Sequence, residues 1–455
     1  MNCSTIKFMK RLLSGLVLRY FRSIAKIQLK RTKPLIIGIT GSAGKTSAMT
    51  AVAAVLKDTR QVKTSEKANS ESGIPLNILG LYPKNFATAD WLRLMIQAPI
   101  KLVVNLITSQ ENYDTYVAEL GIDSPFPPKN MEYLLTILQP DIGIFTTVNS
   151  IHGQYFEPLF LDQNKKPTRH DIVAAIASEK GRLIESLPVS GCAILNADEP
   201  LIAHLSNKTK AKVMTFGVKP DSTIKIVNIT WTGTDTEFSF STTTETATVS
   251  FTNYLLPSHY GHTLASALCS GLFLGQSLAE ASEHLQQNLL LPPGRASLIP
   301  GKHQTKIIDS SYNSSLEPLL DMLYLLQKTP GARKFALLGD IRELGENTKQ
   351  EHETLAHEAA KVCDAVYLVG PAMQQYALPI FQNKKMPAFW FKNAYEAAAQ
   401  LDQDLRPNDV ILVKASQNTL LLEITVELLM AEPEKAGELL CRRGDYWDHQ
   451  RELLR

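Results

Sequence analysis

The sequence predicts an α/β protein in which a larger domain, with a mostly parallel sheet and a smaller antiparallel portion, precedes a smaller Rossmann-like α/β domain. Three observations predict this fold class. Short β-branched runs alternate with helical stretches early in the chain, residues 222–253 alternate Ser/Thr with apolar residues, and a second alternating series begins near residue 294. Strands that alternate with helices form parallel sheets, whereas polar–apolar alternation is typical of antiparallel strands with one wet face.

The first domain begins with the strand LIIGIT, the glycine-rich turn TGSAGKTS and the Ala-rich helix AMTAVAAVLKD. Further strands are expected at Thr115–Leu120, Ile142–Thr147 and Ala193–Asn196, and antiparallel strands at Ser222–Asn253. A chain of 455 residues is long enough for two or three domains with buried cores. The strands that follow residue 293 are expected to belong to another domain.

That second domain follows LPPGR at 291–295, which is typical of a connection between domains. Its four strand-like runs, each followed by a helical segment, are TKIIDSSYN, KFALLGD, AVYLVG and DVILVKAS. The predicted organisation is a basic amphipathic segment at 1–33, a central domain at 34–293, a C-terminal domain at 294–430 and a charged, exposed helical tail at 431–455.

Composition excludes several classes of protein. The 47 basic and 45 acidic side chains leave a net charge of +2, so no global field attracts nucleic acid, and we expect no nucleic-acid partner. The five cysteines are scattered without a C-x-x-C pair, which argues against a disulfide framework or a zinc site and fits a reducing cytoplasm.

The first 33 residues carry nine Lys/Arg and no acidic residue, with apolar residues at helical spacing. Two interpretations stay open: the helix rests on an anionic membrane surface through residues 1–31, at the inner face of the membrane, or it packs its apolar side on the protein's own core, which we favour. The same choice applies to the apolar-basic stretch at 91–108, for which core packing is again favoured.

Residues Thr40–Ser47 give the strongest local indication of chemistry. A turn from strand to helix directs backbone N–H groups and the positive end of the helix at phosphate oxygens. Glycines let the backbone approach closely, Lys45 is placed to neutralise the β and γ phosphates, and Thr46 offers a hydroxyl to Mg²⁺. Ile39 stands where the longer motif has its first glycine, so only G-x-x-G-K-T remains. We predict a nucleotide-binding P-loop formed by Gly41, Ser42, Ala43, Gly44, Lys45, Thr46 and Ser47.

Glu119 lies at the end of one predicted strand, and His152 follows another predicted strand of the same sheet and an Asn-Ser turn. Ligands of open α/β sheets collect at the carboxyl ends of the strands, so both side chains are expected near the phosphates. A carboxylate and an imidazole are suitable contacts there for Mg²⁺ or for substrate.

Several motifs occur in an order that resembles the Mur ligase family, and within it the branch that adds D-alanyl-D-alanine in peptidoglycan synthesis. In the first half they are TGSAGKTS (40–47), NSESGIPL (69–76), VAELG (117–121), PDIGIFTTVNSIH (140–152), IASEKGRLIESL (176–187) and LNADEP (195–200). In the second half they are PPGR (292–295), IIDSSYNSS (307–315), LLGDIRELGE (337–346) and LVKAS (412–416). The resemblance covers about Lys33 to Leu429.

The resemblance implies an ATP-dependent, Mg²⁺-dependent ligase that converts a peptide-bearing carboxylate to an acyl phosphate and joins it to an amine, D-alanyl-D-alanine. It implies a cytoplasmic monomer. It assigns catalysis to Lys45, Glu119, His152 and Lys180, and Mg²⁺ ligation to Thr46, Glu119, His152 and Lys180, the last as a carbamate. It assigns ATP contacts to the P-loop, Arg295 and Asp309, and substrate contacts to Asn69, Tyr312, Asn313, Lys414 and Ser416.

The departures from the family concern recognition of substrate and base. Only 33 residues precede the first strand, where the family usually has a domain that grips a uridine nucleotide. Asp309-Ser310 replaces an Asp-Asp pair, and Ala415 and Gln417 replace a glycine and an arginine. Alternative functions therefore stay open: another amide ligase of the superfamily, acting on a γ-glutamyl or lipid-linked precursor, a nucleotide-switched binding protein, or a membrane-associated scaffold.

Overall fold

The computed structural model describes residues 3–85, 87–108, 110–150, 153–163, 167–342, 344–416 and 420–455. The chain forms two compact units. The first comprises Met1–Asn228, Ser239–Val249 and Gly261–Leu289, and the second comprises Ile229–Phe238, Ser250–Tyr260 and Leu290–Arg455.

A nine-stranded sheet begins in the first unit, with the order β2-β3-β1-β4-β5-β6-β7-β8-β9. Its strands are β1 (Leu35–Thr40), β2 (Val62–Thr64), β3 (Thr115–Glu119), β4 (Ile142–Phe145), β5 (Cys192–Asn196), β6 (Lys212–Gly217), β7 (Ile224–Trp231), β8 (Thr236–Ser241) and β9 (Thr246–Phe251). Pairing is parallel from β2 through β7. The strands β3, β4 and β5 are buried along their whole length, as expected where helices cover both faces.

The strands β7, β8 and β9 include residues of both units. Four-residue turns connect them, closed by Thr232 N–H to the Asp235 carbonyl and by Thr242 N–H to the Glu245 carbonyl. Turns this short join antiparallel neighbours only. Burial alternates along β8, so the predicted antiparallel portion with one wet face is confirmed.

The helices before residue 290 are α1 (Cys3–Thr32), α2 (Lys45–Leu56), α3 (Gly73–Leu79), α4 (Thr88–Ile107), α5 (Met131–Leu135), α6 (Arg169–Glu185), α7 (Pro200–Ala203), α8 (Tyr260–Phe273) and α9 (Leu278–Asn288). Local sequence fixes where some of them begin. In α6, the Thr168 side chain accepts from the Asp171 N–H, and the Asp171 carboxylate accepts from the Thr168 N–H. Such a reciprocal capping box satisfies N–H groups that the first turn of a helix cannot pair.

A six-stranded sheet forms the core of the second unit, with the order β10-β11-β15-β12-β13-β14. Its strands are β10 (Ser297–Gly301), β11 (Thr305–Asp309), β12 (Lys334–Gly339), β13 (Ala365–Val369), β14 (Ala388–Phe391) and β15 (Val410–Lys414). Only β10 pairs antiparallel; the rest is parallel. The mixed α/β fold class, with a large mostly parallel sheet and a second, smaller one, is therefore confirmed.

The helices of this part are α10 (Leu316–Lys328), α11 (Thr348–Ala359), α12 (Leu378–Asn383), α13 (Ala394–Asp404), α14 (Glu423–Leu429), α15 (Ala436–Leu439) and α16 (Asp445–Glu452). Single-turn or irregular helices occupy Gly153–Tyr155, Glu157–Gln163, His204–Lys208, Lys302–Gln304, Gly345–Asn347, Met373–Ala377 and Pro433–Lys435.

The expectation of a charged, exposed helix at 431–455 is wrong. The segment is divided into short helices, and its Leu440 and Cys441 are buried. Arg442 is also buried and forms an ion pair with the fully buried Glu423. Apolar residues of the tail pack on the core of the second unit, so burial outweighs the charge pattern that suggested solvent exposure.

The long helix α1 packs against α4 through Phe21, Ile24, Leu94, Ala98 and Leu102. From residue 14 onward, where its side chains are described, this agrees with the favoured interpretation of core packing. Among the described residues, no helix combines the length and apolar character needed to cross a bilayer.

Candidate active site

The P-loop connects the end of β1 to the start of α2. A Cβ at Gly41 would lie 2.1 Å from the Thr146 hydroxyl, so no side chain fits there. Gly44 precedes the helix with φ 77°, a left-handed conformation that favours glycine. Both glycines of the predicted motif are therefore required by the backbone path.

Residues that follow β4 hold this loop in place. Ser42 N–H donates to the Thr147 carbonyl at 2.8 Å, and the Thr146 hydroxyl donates to the Ala43 carbonyl at 2.8 Å. The Lys45 ammonium group donates to the Gly41 carbonyl at 3.0 Å. The loop is thus held by residues outside it and by a contact within it. Because the loop is already ordered, binding of an anion loses less conformational entropy.

Glu119 lies at the carboxyl end of β3, beside the first turn of α2. The Thr46 hydroxyl donates to its carboxylate at 2.6 Å, and the Asn69 amide donates to the other oxygen at 3.2 Å. The Ser65 hydroxyl accepts from the Glu119 N–H at 2.8 Å. The structure thus brings together three residues that the sequence predicted separately: Thr46, Asn69 and Glu119.

Lys180 lies on α6 and is 5% exposed. Burial, and next the positive charge of Lys45, lowers the pKa of Lys180 to about 7, although Asp123 and Glu119 oppose the shift. Burial also lowers the pKa of Lys45, while Glu119 and Asp123 raise it. These mutual effects place both lysines, Glu119 and Asp123 in one electrostatic environment.

The donor chemistry of this cluster fits Mg²⁺. Thr46 and Glu119 offer oxygen ligands, and a carbamate on Lys180 would add another. Among the described residues, no group of three or more His, Cys, Asp or Glu is arranged as a metal site. A site completed by phosphate oxygens and water is the arrangement that Mg²⁺ commonly adopts. His152 lies outside the described residues, so its predicted role stays a prediction.

Sequence reasoning did not single out Asp123, Ser65 or Thr146 as site residues. Thr146 lies near the end of the predicted strand Ile142–Thr147, and this position was the available signal. Ser65 follows β2, which is only three residues long and lacked a recognisable pattern. Asp123 lies in a loop four residues after Glu119, where no periodicity applies.

In the second unit, the carboxyl ends of β11 and β15 lie side by side, with Asp309 opposite Val413. The Lys414 ammonium group donates to the Ser310 hydroxyl at 3.1 Å and to the Asn313 carbonyl at 3.0 Å. The Ser416 hydroxyl donates to the Ser314 carbonyl at 3.1 Å. Burial lowers the pKa of Lys414 to about 7, and the charge of Arg295 adds to the shift.

Asp309 is fully buried, and burial raises its pKa to about 6 against the opposing hydrogen bonds from Ser311. Its first carboxylate oxygen accepts from Ser311 N–H at 3.0 Å. No described residue hydrogen-bonds to its second oxygen. An unpaired buried oxygen of this kind is costly, and it marks a place for a ligand hydroxyl or a water molecule.

Two arginines of the same unit contact the Tyr312 ring. The Arg295 guanidinium is 4.6 Å and the Arg442 guanidinium 5.4 Å from the ring centroid. Arg442 comes from the tail whose burial the sequence did not predict, and it also donates to the Tyr312 carbonyl. The structure therefore gathers Arg295, Asp309, Tyr312, Asn313, Lys414 and Ser416 around one edge of the second sheet.

Comparison with known families gives this arrangement its context. The description "Mur ligase middle domain" matches residues 39–269, just over half of the 455 residues, and "Mur ligase, glutamate ligase domain" matches residues 294–417. The chain belongs to the Mur ligase family. The predicted membership of this ligase family is therefore confirmed.

Relatives of this Mur ligase include a UDP-N-acetylmuramoyl-tripeptide–D-alanyl-D-alanine ligase from Synechocystis, 27% identical over 407 residues, covering 88% of this chain and 75% of the relative. The protein of the same name from Bacillus subtilis is 24% identical, covering 90% and 79%.

Among solved structures, a MurF ligase from Thermotoga maritima in complex with ADP has a TM-score of 0.69 at 22% identity, covering 92% of this chain and 84% of that chain. A MurF from Acinetobacter baumannii gives 0.69 at 20% identity, covering 89% and 79%. At these identities the structural likeness shows the fold.

Proposed function

We propose that this Mur ligase uses ATP to join the terminal carboxylate of a muramoyl peptide to the amine of D-alanyl-D-alanine. The observation that carries the proposal is the contact of Thr46 and Asn69 with Glu119 at the end of the P-loop. The names of its relatives supply the choice of substrates, and the ADP bound to the Thermotoga protein supports a nucleotide at the loop.

A carboxylate is a poor acyl donor because it would have to expel oxide. Transfer of the γ-phosphoryl group of ATP to a carboxylate oxygen gives ADP and an acyl phosphate. The amine then attacks the acyl carbon, phosphate leaves, and the amine loses a proton. The protein's contribution is to position these reactants and to stabilise charge on the transferring phosphoryl oxygens.

Each part of the first cluster has a task in this scheme. The P-loop backbone and Lys45 hold phosphate oxygens. The Lys45 side chain is already oriented by its hydrogen bond to the Gly41 carbonyl. Thr46, Glu119 and a carbamylated Lys180 would hold Mg²⁺, which supplies positive charge beside the phosphates when it is bound. His152 would complete this set, as the family resemblance implies.

Lys180 is suited to carbamylation because its amine is neutral above about pH 7. Addition of CO₂ to the amine forms a carbamate and releases a proton. The product is an anionic oxygen ligand beside the Lys45 cation, so it cannot form the like-charge pair that a protonated Lys180 would form there.

In the second unit, we propose that Arg295 and Asp309 contact ATP. The residues of this unit proposed to contact the other substrates are Tyr312, Asn313, Lys414 and Ser416. In the first unit, we propose a substrate contact for Asn69. The support is that the residues from the second unit gather at one sheet edge, where α/β folds bind ligands. The unpaired oxygen of Asp309 is available to accept a hydrogen bond. We further propose that the enzyme acts as a monomer in the cytoplasm.

The proposal is tested by supplying the purified chain with ATP, Mg²⁺, UDP-N-acetylmuramoyl-tripeptide and D-alanyl-D-alanine, and by mass spectrometry of the products. We expect an amide product that depends on all components and is lost in Lys45→Met. The matched control is Lys57→Met, which removes an exposed lysine at the other end of α2.

Two outcomes would overturn it. Release of phosphate at the same rate with and without the two organic substrates would favour a nucleotide-switched binding protein. An amide formed only with a γ-glutamyl or lipid-linked carboxylate would favour another ligase of the superfamily.

A further inference from the structure

The outer face of α4 is a continuous apolar surface. Leu92, Ile96, Ile100, Val103 and Ile107 follow one another at intervals of three or four residues and therefore share one side of the helix. All are exposed: Ile96 to 66%, Ile100 to 58% and Ile107 to 79%. We call these five residues the α4 stripe.

The fold of the first unit does not need this stripe. The opposite side of α4 already buries Leu94, Ala98 and Leu102 against α1. Exposed large apolar residues that occur singly are ordinary, but five in a row on one helix face indicate an interaction surface.

Two apolar residues of α1 extend the surface beside α4. The Tyr20 hydroxyl donates to the Met95 carbonyl of α4 at 2.8 Å, so this face of α1 is turned towards α4. Leu16 and Ile27, four residues before and seven residues after Tyr20, lie on the same face. They are 55% and 49% exposed.

Positive charge adjoins this apolar surface. Arg19, Lys26 and Lys30 are exposed on α1 and share its solvent side. Residues 1–33 carry nine of the 47 basic and none of the 45 acidic side chains, so the rest of the chain has 38 basic against 45 acidic. The only acid of α4, Asp90, is buried and paired with Arg93.

We propose that the α4 stripe and the basic side of α1 dock on an anionic lipid bilayer surface. The stripe would enter the boundary between headgroups and acyl chains, and the cations would lie at the phosphate groups. A second copy of the chain suits the surface less well, because symmetric pairing would bring the basic segments of two α1 helices together.

This inference is independent of the ligase reaction. It concerns residues of α1 and α4, none of which the proposed reaction uses, and its test measures binding to lipid. Its failure would leave the proposed reaction untouched, and failure of the ligase assay would leave membrane docking untouched.

The test uses the full chain and sedimentation with vesicles of phosphatidylcholine, with or without phosphatidylglycerol. We expect the bound fraction to require the anionic lipid and to fall as salt is raised, since salt screens the headgroup attraction. The double variant Ile96→Glu/Ile100→Glu should weaken the apparent partition coefficient by about tenfold or more. The triple variant Arg19→Gln/Lys26→Gln/Lys30→Gln should lose the preference for anionic vesicles.

Val189→Glu is the matched control, because Val189 is 72% exposed and lies outside both helices. It should bind like the unchanged protein. Circular dichroism and thermal unfolding check that every variant is folded. The proposal is overturned if the unchanged chain ignores anionic vesicles, if the α4 variant binds as well as the control, or if the stripe mediates a dimer in sedimentation velocity and no lipid binding is seen.

Discussion

The Thr46 hydroxyl donates a 2.6 Å hydrogen bond to the Glu119 carboxylate and so connects the first turn of α2 to the end of β3. A hydrogen bond to an ionised acceptor is stronger than a neutral one, and this length is typical of such a pair. Both side chains carry oxygen atoms of the kind that Mg²⁺ prefers as ligands. The contact holds the two side chains together without a bound ligand, and catalysis by charge stabilisation relies on groups that are preorganised in this way.

Thr46→Ala should lower kcat of the ligase reaction by ~10²–10³, the loss typical when one preorganised charge-stabilising group is removed. Thr46→Ser keeps the hydroxyl and should restore most of the rate. Steady-state kinetics with all three substrates measure this. Thr50→Ala is the control, since Thr50 lies one turn further along α2 and its hydroxyl donates to the Thr46 carbonyl. An equal loss of kcat in both alanine variants would show that disturbance of α2, and not removal of the Thr46 hydroxyl, lowers the rate.

Gly41→Ala should weaken ADP binding by at least about tenfold, or ~1.4 kcal/mol. A Cβ there would meet the Thr146 hydroxyl at 2.1 Å, so the loop must shift and its N–H groups lose their alignment. Isothermal titration calorimetry gives the affinity. Gly437→Ala is a matched change, because a Cβ at Gly437 has no described heavy atom within 4 Å. Unchanged ADP affinity in Gly41→Ala would mean that the nucleotide does not use this loop.

Bicarbonate should raise the activity of the unchanged enzyme, and the effect should disappear below about pH 6. The pKa of Lys180 is lowered to about 7, so the neutral amine that reacts with CO₂ becomes scarce as pH falls through that value. Carbon-13 NMR after incubation with labelled bicarbonate should show one carbamate resonance. Lys180→Met should lack the resonance and activity, whereas Lys208→Met, which removes a partly exposed lysine paired with Glu185, should keep both. A carbamate resonance that survives Lys180→Met would contradict the assignment.

Asp309 should make the second unit less stable as pH rises from about 4 to about 6. Burial raises its folded pKa to about 6 from an unfolded value near 3.9. The folded state therefore holds the extra proton in this window, and the stability it contributes is lost as pH rises through the folded pKa. The full effect is at most about 3 kcal/mol.

The variant Asp309→Asn cannot titrate and retains an oxygen acceptor. The Tm of the variant should therefore rise relative to the Tm of the unchanged protein as pH rises from 4 to 6. Above pH 6 the difference between the two Tm values should stay constant. Differential scanning calorimetry follows both proteins. A Tm difference that is independent of pH would show that Asp309 has an ordinary pKa.

Much of the fold was predictable because periodicity and local chemistry agree. The β-branched runs at β1, β3 and β4 are buried on both faces, which is what such runs predict. The P-loop was predictable from its spacing together with the β-branched run before it and the Ala-rich helix after it, since glycine, lysine and threonine have separate physical tasks there. The short β2 has too few residues for a pattern, and it was missed.

The remainder depends on contacts between distant parts of the sequence. The tail at 431–455 is rich in charge, yet Arg442 is buried by its pair with Glu423 and its contact with Tyr312. The lowered pKa of Lys180 arises from burial and from the nearby charge of Lys45, 135 positions earlier, and no local pattern contains either. The outer face of α4 was expected to be core because its apolar residues were counted without knowing which side α1 covers.

Activation of a carboxylate by ATP as an acyl phosphate leaves an isotopic record, because the released phosphate carries an oxygen atom from the carboxylate. The most direct measurement uses UDP-N-acetylmuramoyl-tripeptide labelled with ¹⁸O in its terminal carboxylate, together with ATP, Mg²⁺ and D-alanyl-D-alanine, followed by mass spectrometry of the released phosphate. We expect one ¹⁸O atom in the phosphate for each amide bond formed. Unlabelled phosphate, with ATP consumed all the same, would contradict it.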